Sequence, residues 1–198
     1  MSRTKLLSVI TLVAALTLMA GVAMAATAPA ADTLKVDYFA NAGGSADATV
    51  RIVNPGTTYS NLCADIFVFD SQEEMVECGS CPVSPDDLRT LSVNGDLLAN
   101  PLNGKAPTTG DIKIVSATTT GGACPLPTGK TKSGGTIINP VPAVRVWTTH
   151  IQNNGTLTEG SSQDATFSAN EYTALQQQCY AIQLVGSGTG LLTCGTGE

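Results

Sequence analysis

Apolar positions along this chain recur mostly at a spacing of two, in short runs separated by turn residues, which is the pattern of half-buried β-strands. Val50 and Ile52 fall on one face of a strand predicted over Ala48 to Asn54, and Asn54-Pro55-Gly56 ends it as a turn. From Leu62 to Asp70 the residues Leu62, Ala64, Ile66 and Val68 face one way, and Cys63, Asp65, Phe67 and Phe69 the other. Apolar side chains on both faces predict a central strand. Met75 to Cys81 is predicted to return beside it after the polar turn Ser71 to Glu74. Thr90 to Val93, Ile112 to Ala117 and Ala143 to Ile151 complete the set, and Asn94-Gly95 predicts a tight hairpin turn.

Two stretches break the period of two. Thr118 to Pro142 is dense in Gly, Pro, Thr and Ser around Cys124 and predicts a long irregular connection. Tyr172, Leu175, Cys179 and Ile182 are spaced by three and four, which predicts a helix from about Ala169 to Ile182 with those residues on one face. Ser168 and Glu171 stand at capping-box spacing at its start, and Gly186 to Gly190 turns the chain into a short last segment holding Cys194. The expected fold is mainly β: an antiparallel β-sandwich-like domain with one C-terminal helix, stapled by disulfides.

The N-terminus changes the compartment. Arg3 and Lys5 precede an apolar run from Leu6, and Ala23-Met24-Ala25 supplies small-x-small spacing, so residues 1–25 read as a signal peptide and 26–198 as a single exported β-rich domain. Removal of residues 1–25 leaves 173 residues and lowers the formal charge from −6 to −8. No later segment is long and apolar enough to span a membrane. So few Lys and Arg residues at this acidic balance exclude a phosphate-backbone partner, and with 13% charged and 42% hydrophobic residues the chain is not of the disordered class.

Export makes the cysteines candidates for bridging. Cys63, Cys78, Cys81, Cys124, Cys179 and Cys194 are even in number, and three disulfides are expected, with 15 pairings open. Zinc at Cys78-Gly-Ser-Cys81 lacks a second closely spaced ligand pair, since His150 is the only histidine. Redox chemistry at this Cys-x-x-Cys would want a helix start, whereas Met75-Val76-Glu77 reads as strand and Glu77 would raise the neighbouring thiol pKa.

Other motifs fail on context. Thr128-Gly129-Lys130-Thr131 lacks the glycine that a phosphate loop needs at position 124, and Gly186-x-Gly-x-Gly190 follows a helix where a dinucleotide turn must follow a strand. His150 has no nucleophile elbow and stands opposite Trp147 in strand alternation. Asp70, Glu73, Glu74 and Glu77 could serve calcium or a glycosidase pair, yet match no loop motif, and a solvated turn explains them equally. No cofactor or metal is expected.

Leu62 to Asp70, Gln72 to Met75, Glu77 to Val83, Thr149 to Gln152 and the tail Gly186 to Cys194 resemble an uncharacterised family of secreted, cysteine-containing bacterial proteins, a resemblance covering Asn54 to Gly195. It implies no activity. Members of that family often carry further cysteines where this chain has Gly79 and Thr196, which implies that these positions face each other across antiparallel strands. Residues 81 and 194 have the same sum of numbers and would pair in that register. The resemblance thus implies Cys81 with Cys194, then Cys78 with Cys179 and Cys63 with Cys124. The expected function is a secreted structural, surface or binding protein with an envelope, matrix or self-association partner. Alternatives are thiol-disulfide exchange at Cys78 and Cys81, and a carbohydrate-binding module using Trp147 or the tyrosines.

Overall fold

The computed structural model describes residues 33–41, 47–57, 59–129, 139–152, 154–166 and 168–195. The predicted signal peptide, 1–25, lies outside the described residues, as does Thr196. Among the described residues, nine strands and one long helix follow in the order β1 (Leu34–Ala40), β2 (Thr49–Val53), β3 (Leu62–Asp70), β4 (Met75–Val83), β5 (Leu88–Ser92), β6 (Thr109–Thr118), β7 (Arg145–Ile151), β8 (Leu157–Ser161), β9 (Gln163–Ala165) and α1 (Ala169–Val185).

The strands form two antiparallel sheets, β4-β3-β6-β1-β9 and β5-β2-β7-β8. Between them lies the main core: Leu62, Ala64, Ile66 and Val68 of β3 meet Val50 and Ile52 of β2, Leu91 of β5 and Val146 of β7. On its other face the five-stranded sheet packs against α1, with Cys63, Phe67 and Phe69 of β3 against Tyr172, Leu175, Cys179 and Ile182. The molecule is therefore a helix–sheet–sheet stack, and β3 is buried at all nine positions because it is the strand with a layer on either side. No helix among the described residues is long and apolar enough to cross a membrane.

Several local expectations change. Asn94-Gly95 does not turn a hairpin; Val93–Leu97 winds into a π-helical turn. The Ser92 hydroxyl accepts from the Gly95 N–H at 2.9 Å while the Asp96 carboxylate accepts from the Ser92 N–H at 2.7 Å, and this reciprocal capping favours the helical turn. Only half of the capping box at α1 forms. Ser168 Oγ accepts from the Glu171 N–H at 3.0 Å, but the Glu171 carboxylate pairs with Lys113 at 3.2 Å. β8 and β9 carry no clear apolar alternation, and β1, where Leu34, Val36 and Tyr38 alternate with Lys35 and Asp37, is a strand the sequence reading left out. The inward face of β1 holds Lys35 and Asp37, and Lys35, 3% exposed, ion-pairs with Asp164 of β9.

The last segment runs parallel to β4, not antiparallel. Cys78 N–H donates to Gly190 O at 2.9 Å, and Leu192 N–H donates to Cys78 O at 3.2 Å, so residue 78 stands opposite 191. Gly79 consequently faces Leu192, and a Cβ there would lie 2.7 Å from the Leu192 Cγ. The direction follows from α1, whose Cys179 is held on β4, and from the Gly186 to Gly190 turn, which starts the tail beside Val76 and Cys78. Covering the free edge of β4, the tail satisfies backbone groups that would otherwise invite another strand.

Candidate functional site

β8 and β9 form one run interrupted only by Ser162, yet β8 belongs to the four-stranded sheet and β9 to the five-stranded one. The chain crosses between layers at Ser162. β9 pairs with β1 only over Leu34 to Val36, so from Asp37 onward β1 and the returning chain part company and a wedge opens between them. Asp37 anchors the corner. Its Oδ2 accepts from the hydroxyls of Thr148 and of Ser162, the latter at 3.2 Å, while Oδ1 accepts from the Tyr38 N–H at 2.8 Å.

His150 of β7 forms the floor. Its Nε2 lies 2.8 Å from the Tyr38 carbonyl, an acceptor, so Nε2 carries a proton, and the same atom lies 3.4 Å from Asp37 Oδ1. The imidazole stacks on the Tyr38 ring with centroids 4.0 Å apart and planes within 3°. Tyr38 is thus held by its backbone and by one ring face, yet remains 49% exposed. The groove around it measures about 520 Å³. Asp111, directly opposite Tyr38 in the β1–β6 register, shares its wall, and Thr158, Glu159 and Gln163 form the other side. Of the acids in its lining, Asp37 is engaged by Thr148 and Ser162, and the Glu159 carboxylate pairs with Arg51 at 2.8 Å.

Of the residues singled out from sequence, only His150 lies in this groove. Trp147 projects from the opposite face of β7, 38% exposed. The acidic turn is a capping device: Asp70 Oδ1 accepts from the N–H groups of Gln72 at 2.9 Å and Glu74 at 3.0 Å. Among the described residues no group of three or more His, Cys, Asp or Glu side chains could hold a metal ion.

The cysteines form Cys63–Cys124, Cys78–Cys179 and Cys81–Cys194 bridges, with Cα separations of 5.4, 5.8 and 5.4 Å. Cys78 and Cys81 do not meet because they lie on a strand. Positions three apart point to opposite faces, so Cys78 reaches the helix layer and Cys81 the space between the sheets. Such bridges persist in an oxidising extracellular or periplasmic environment.

Two buried acids flank the same strands on opposite faces. Asp65, in the helix layer, accepts from Ser80 Oγ at 2.6 Å and from the Tyr172 hydroxyl at 3.3 Å. Burial outweighs these bonds and pushes its carboxyl up to about 7. Glu77 Oε1 accepts from the Asn100 N–H at 2.8 Å while its Oε2 has no partner, and burial likewise raises this carboxyl to about 7. Facing opposite sides of the sheet, they cannot act as a catalytic pair.

Sequence reasoning missed Asp37, Asp111 and Glu159 altogether and left Tyr38 among scattered tyrosines. The alternation of Leu34, Val36 and Tyr38 with Lys35 and Asp37 was the available signal. Comparison with protein-family models, curated proteins and solved structures finds no match to this chain.

Proposed function

We propose that this chain is an exported binding domain, not an enzyme, and that the groove between β1 and β8 is its ligand site. The observation that carries the reading is Tyr38, a half-exposed ring oriented in advance by its stack on buried His150. A ring already ordered loses little freedom when a ligand covers it, which is the economy that aromatic recognition residues exploit. Export is supported by the three long-range bridges together with the Ala23-Met24-Ala25 site. Thiol exchange is the weaker reading, because Cys78 and Cys81 are fully buried and each is bonded to a different partner. For carbohydrate, Tyr38 offers the better platform than Trp147, since polar groups surround it.

Screening the disulfide-intact protein on glycan and peptide arrays beside Tyr38→Ala tests this reading. A binder retained by the wild type and lost by the variant supports it. A screen in which no ligand distinguishes the two proteins overturns it.

A further inference from the structure

Away from the groove, we infer that Glu77 works a pH-sensitive latch on the C-terminal segment. While its carboxyl is protonated, residues 186–192 lie closed on β4; its ionisation lifts them and bares that edge of the five-stranded sheet. The segment is a strap pinned at both ends to one strand, through Cys179 to Cys78 and through Cys194 to Cys81. Between the pins, much of its hold passes through one exposed residue, Asn100. The Asn100 N–H donates to Glu77 Oε1 at 2.8 Å, its side-chain amide donates to Gly188 O at 2.7 Å, and its carbonyl accepts from the Gly190 N–H at 2.7 Å. Gly190 O in turn accepts from the Cys78 N–H at 2.9 Å, so the circuit leaves β4 at Glu77 and returns to it at the next residue.

Glu77 is the weak member of that circuit. It is fully buried, its Oε2 has no partner among the described residues, and its Oε1 has one uncharged donor. Opposite it in β3 stands apolar Val68. The charged groups on the surrounding elements are engaged elsewhere: Asp96 accepts from the Ser92 N–H and from Thr193, Arg89 donates to Cys194 O and pairs with Asp87, and Asp65 lies on the other face of the sheet. An ionised Glu77 therefore has no cation to offset its lost hydration, and the cheapest remedy is water at Oε2. The roof over it is thin, because Ala99 and Asn100 are both exposed. Water admitted there displaces Asn100, and the bonds that Asn100 makes to Gly188 and Gly190 go with it. Burial pushes the carboxyl up to about 7, so the strap is closed below neutrality and opens above it. The two bridges confine the opening to the segment between them and make it reversible.

Amide hydrogen exchange of the disulfide-intact protein, read as protection factors so that the intrinsic pH dependence of exchange is removed, tests the latch. The Asn100, Gly190 and Leu192 amides should be roughly tenfold less protected at pH 8 than at pH 5. The loss should be unchanged by about 0.5 M urea, as local opening requires, since it exposes little surface. Glu77→Gln keeps an oxygen for the Asn100 N–H and cannot ionise, so it should hold the pH 5 protection at both values, while Asp65→Asn should leave the strap's response in place. If the glutamine variant does not fold, the carboxyl carbon shift of Glu77 in the wild type takes its place: its titration midpoint should coincide with that of the Gly190 amide shift. Equal protection of the wild-type strap at both pH values overturns the latch. So does a glutamine variant that keeps the pH response, an Asp65→Asn variant that loses it, a loss that grows with urea, or a Glu77 carboxyl that titrates without the Gly190 amide.

Discussion

Asp65 sits where an ionised carboxylate is costly, between β3 and the helix, with two hydroxyl donors and no cation among its hydrogen-bond partners. Its proton is bound more tightly in the folded chain than in the unfolded one. Stability from this group is full below the ordinary carboxylate pKa and is lost as pH climbs towards 7, by up to about 4 kcal/mol. Glu77 acts in the same direction and the same window. The disulfide-intact protein should therefore melt at a higher temperature at pH 5 than at pH 8. Asp65→Asn, which keeps an acceptor for Ser80, should reduce that difference to the part contributed by Glu77; a variant with the wild-type pH profile would show that Asp65 does not titrate in this window.

At the scale of the element, the tail runs parallel to β4 and seals its edge. It is held by Cys78 through the backbone, by Cys81 through sulfur, by the Arg89 guanidinium donating to Cys194 O at 2.9 Å, and by Asp96, which accepts from Thr193. The parallel register brings position 79 against 192. Gly79→Cys combined with Leu192→Cys should consequently form a fourth bridge, read as no maleimide-reactive thiol in the native protein. Pairing of 79 with a cysteine at 196 instead would restore the antiparallel register. Gly79→Ala alone should displace the tail, because the new methyl meets Leu192, and amide exchange at Leu192 should rise.

For the whole molecule, every bridge begins on β3 or β4 and ends on a segment far along the chain, across 61, 101 and 113 residues. Loops of that length make each cross-link restrictive of the unfolded chain, worth roughly 4 kcal/mol in the chain-entropy account. Cys78→Ser with Cys179→Ser should lower unfolding free energy by about 2 to 5 kcal/mol in urea titration. Thiol exchange predicts otherwise: the wild type would reduce insulin and the double variant would keep its midpoint. At the same scale, intact mass of the exported protein is expected to begin at Ala26.

The sequence by itself determined the strands and helix whose faces are uniformly apolar, because burial of β3 on both sides and the spacing of Tyr172, Leu175, Cys179 and Ile182 require only local periodicity. Strand character at Met75 to Glu77 was legible as well, while thiol exchange at Cys78 and Cys81 stayed an open alternative. Tertiary structure alone decided the rest. Lys35 and Asp37 can face inward in β1 because Asp164, Thr148 and Ser162, more than a hundred residues away, meet them there. The direction of the tail is set by where Cys179 is anchored, and the groove exists because the chain passes at Ser162 from β8 in one sheet to β9, which pairs with β1 in the other. Periodicity carries information about which face of an element is dry. It carries none about which distant segment satisfies the polar groups placed there, and the candidate site is made of such groups.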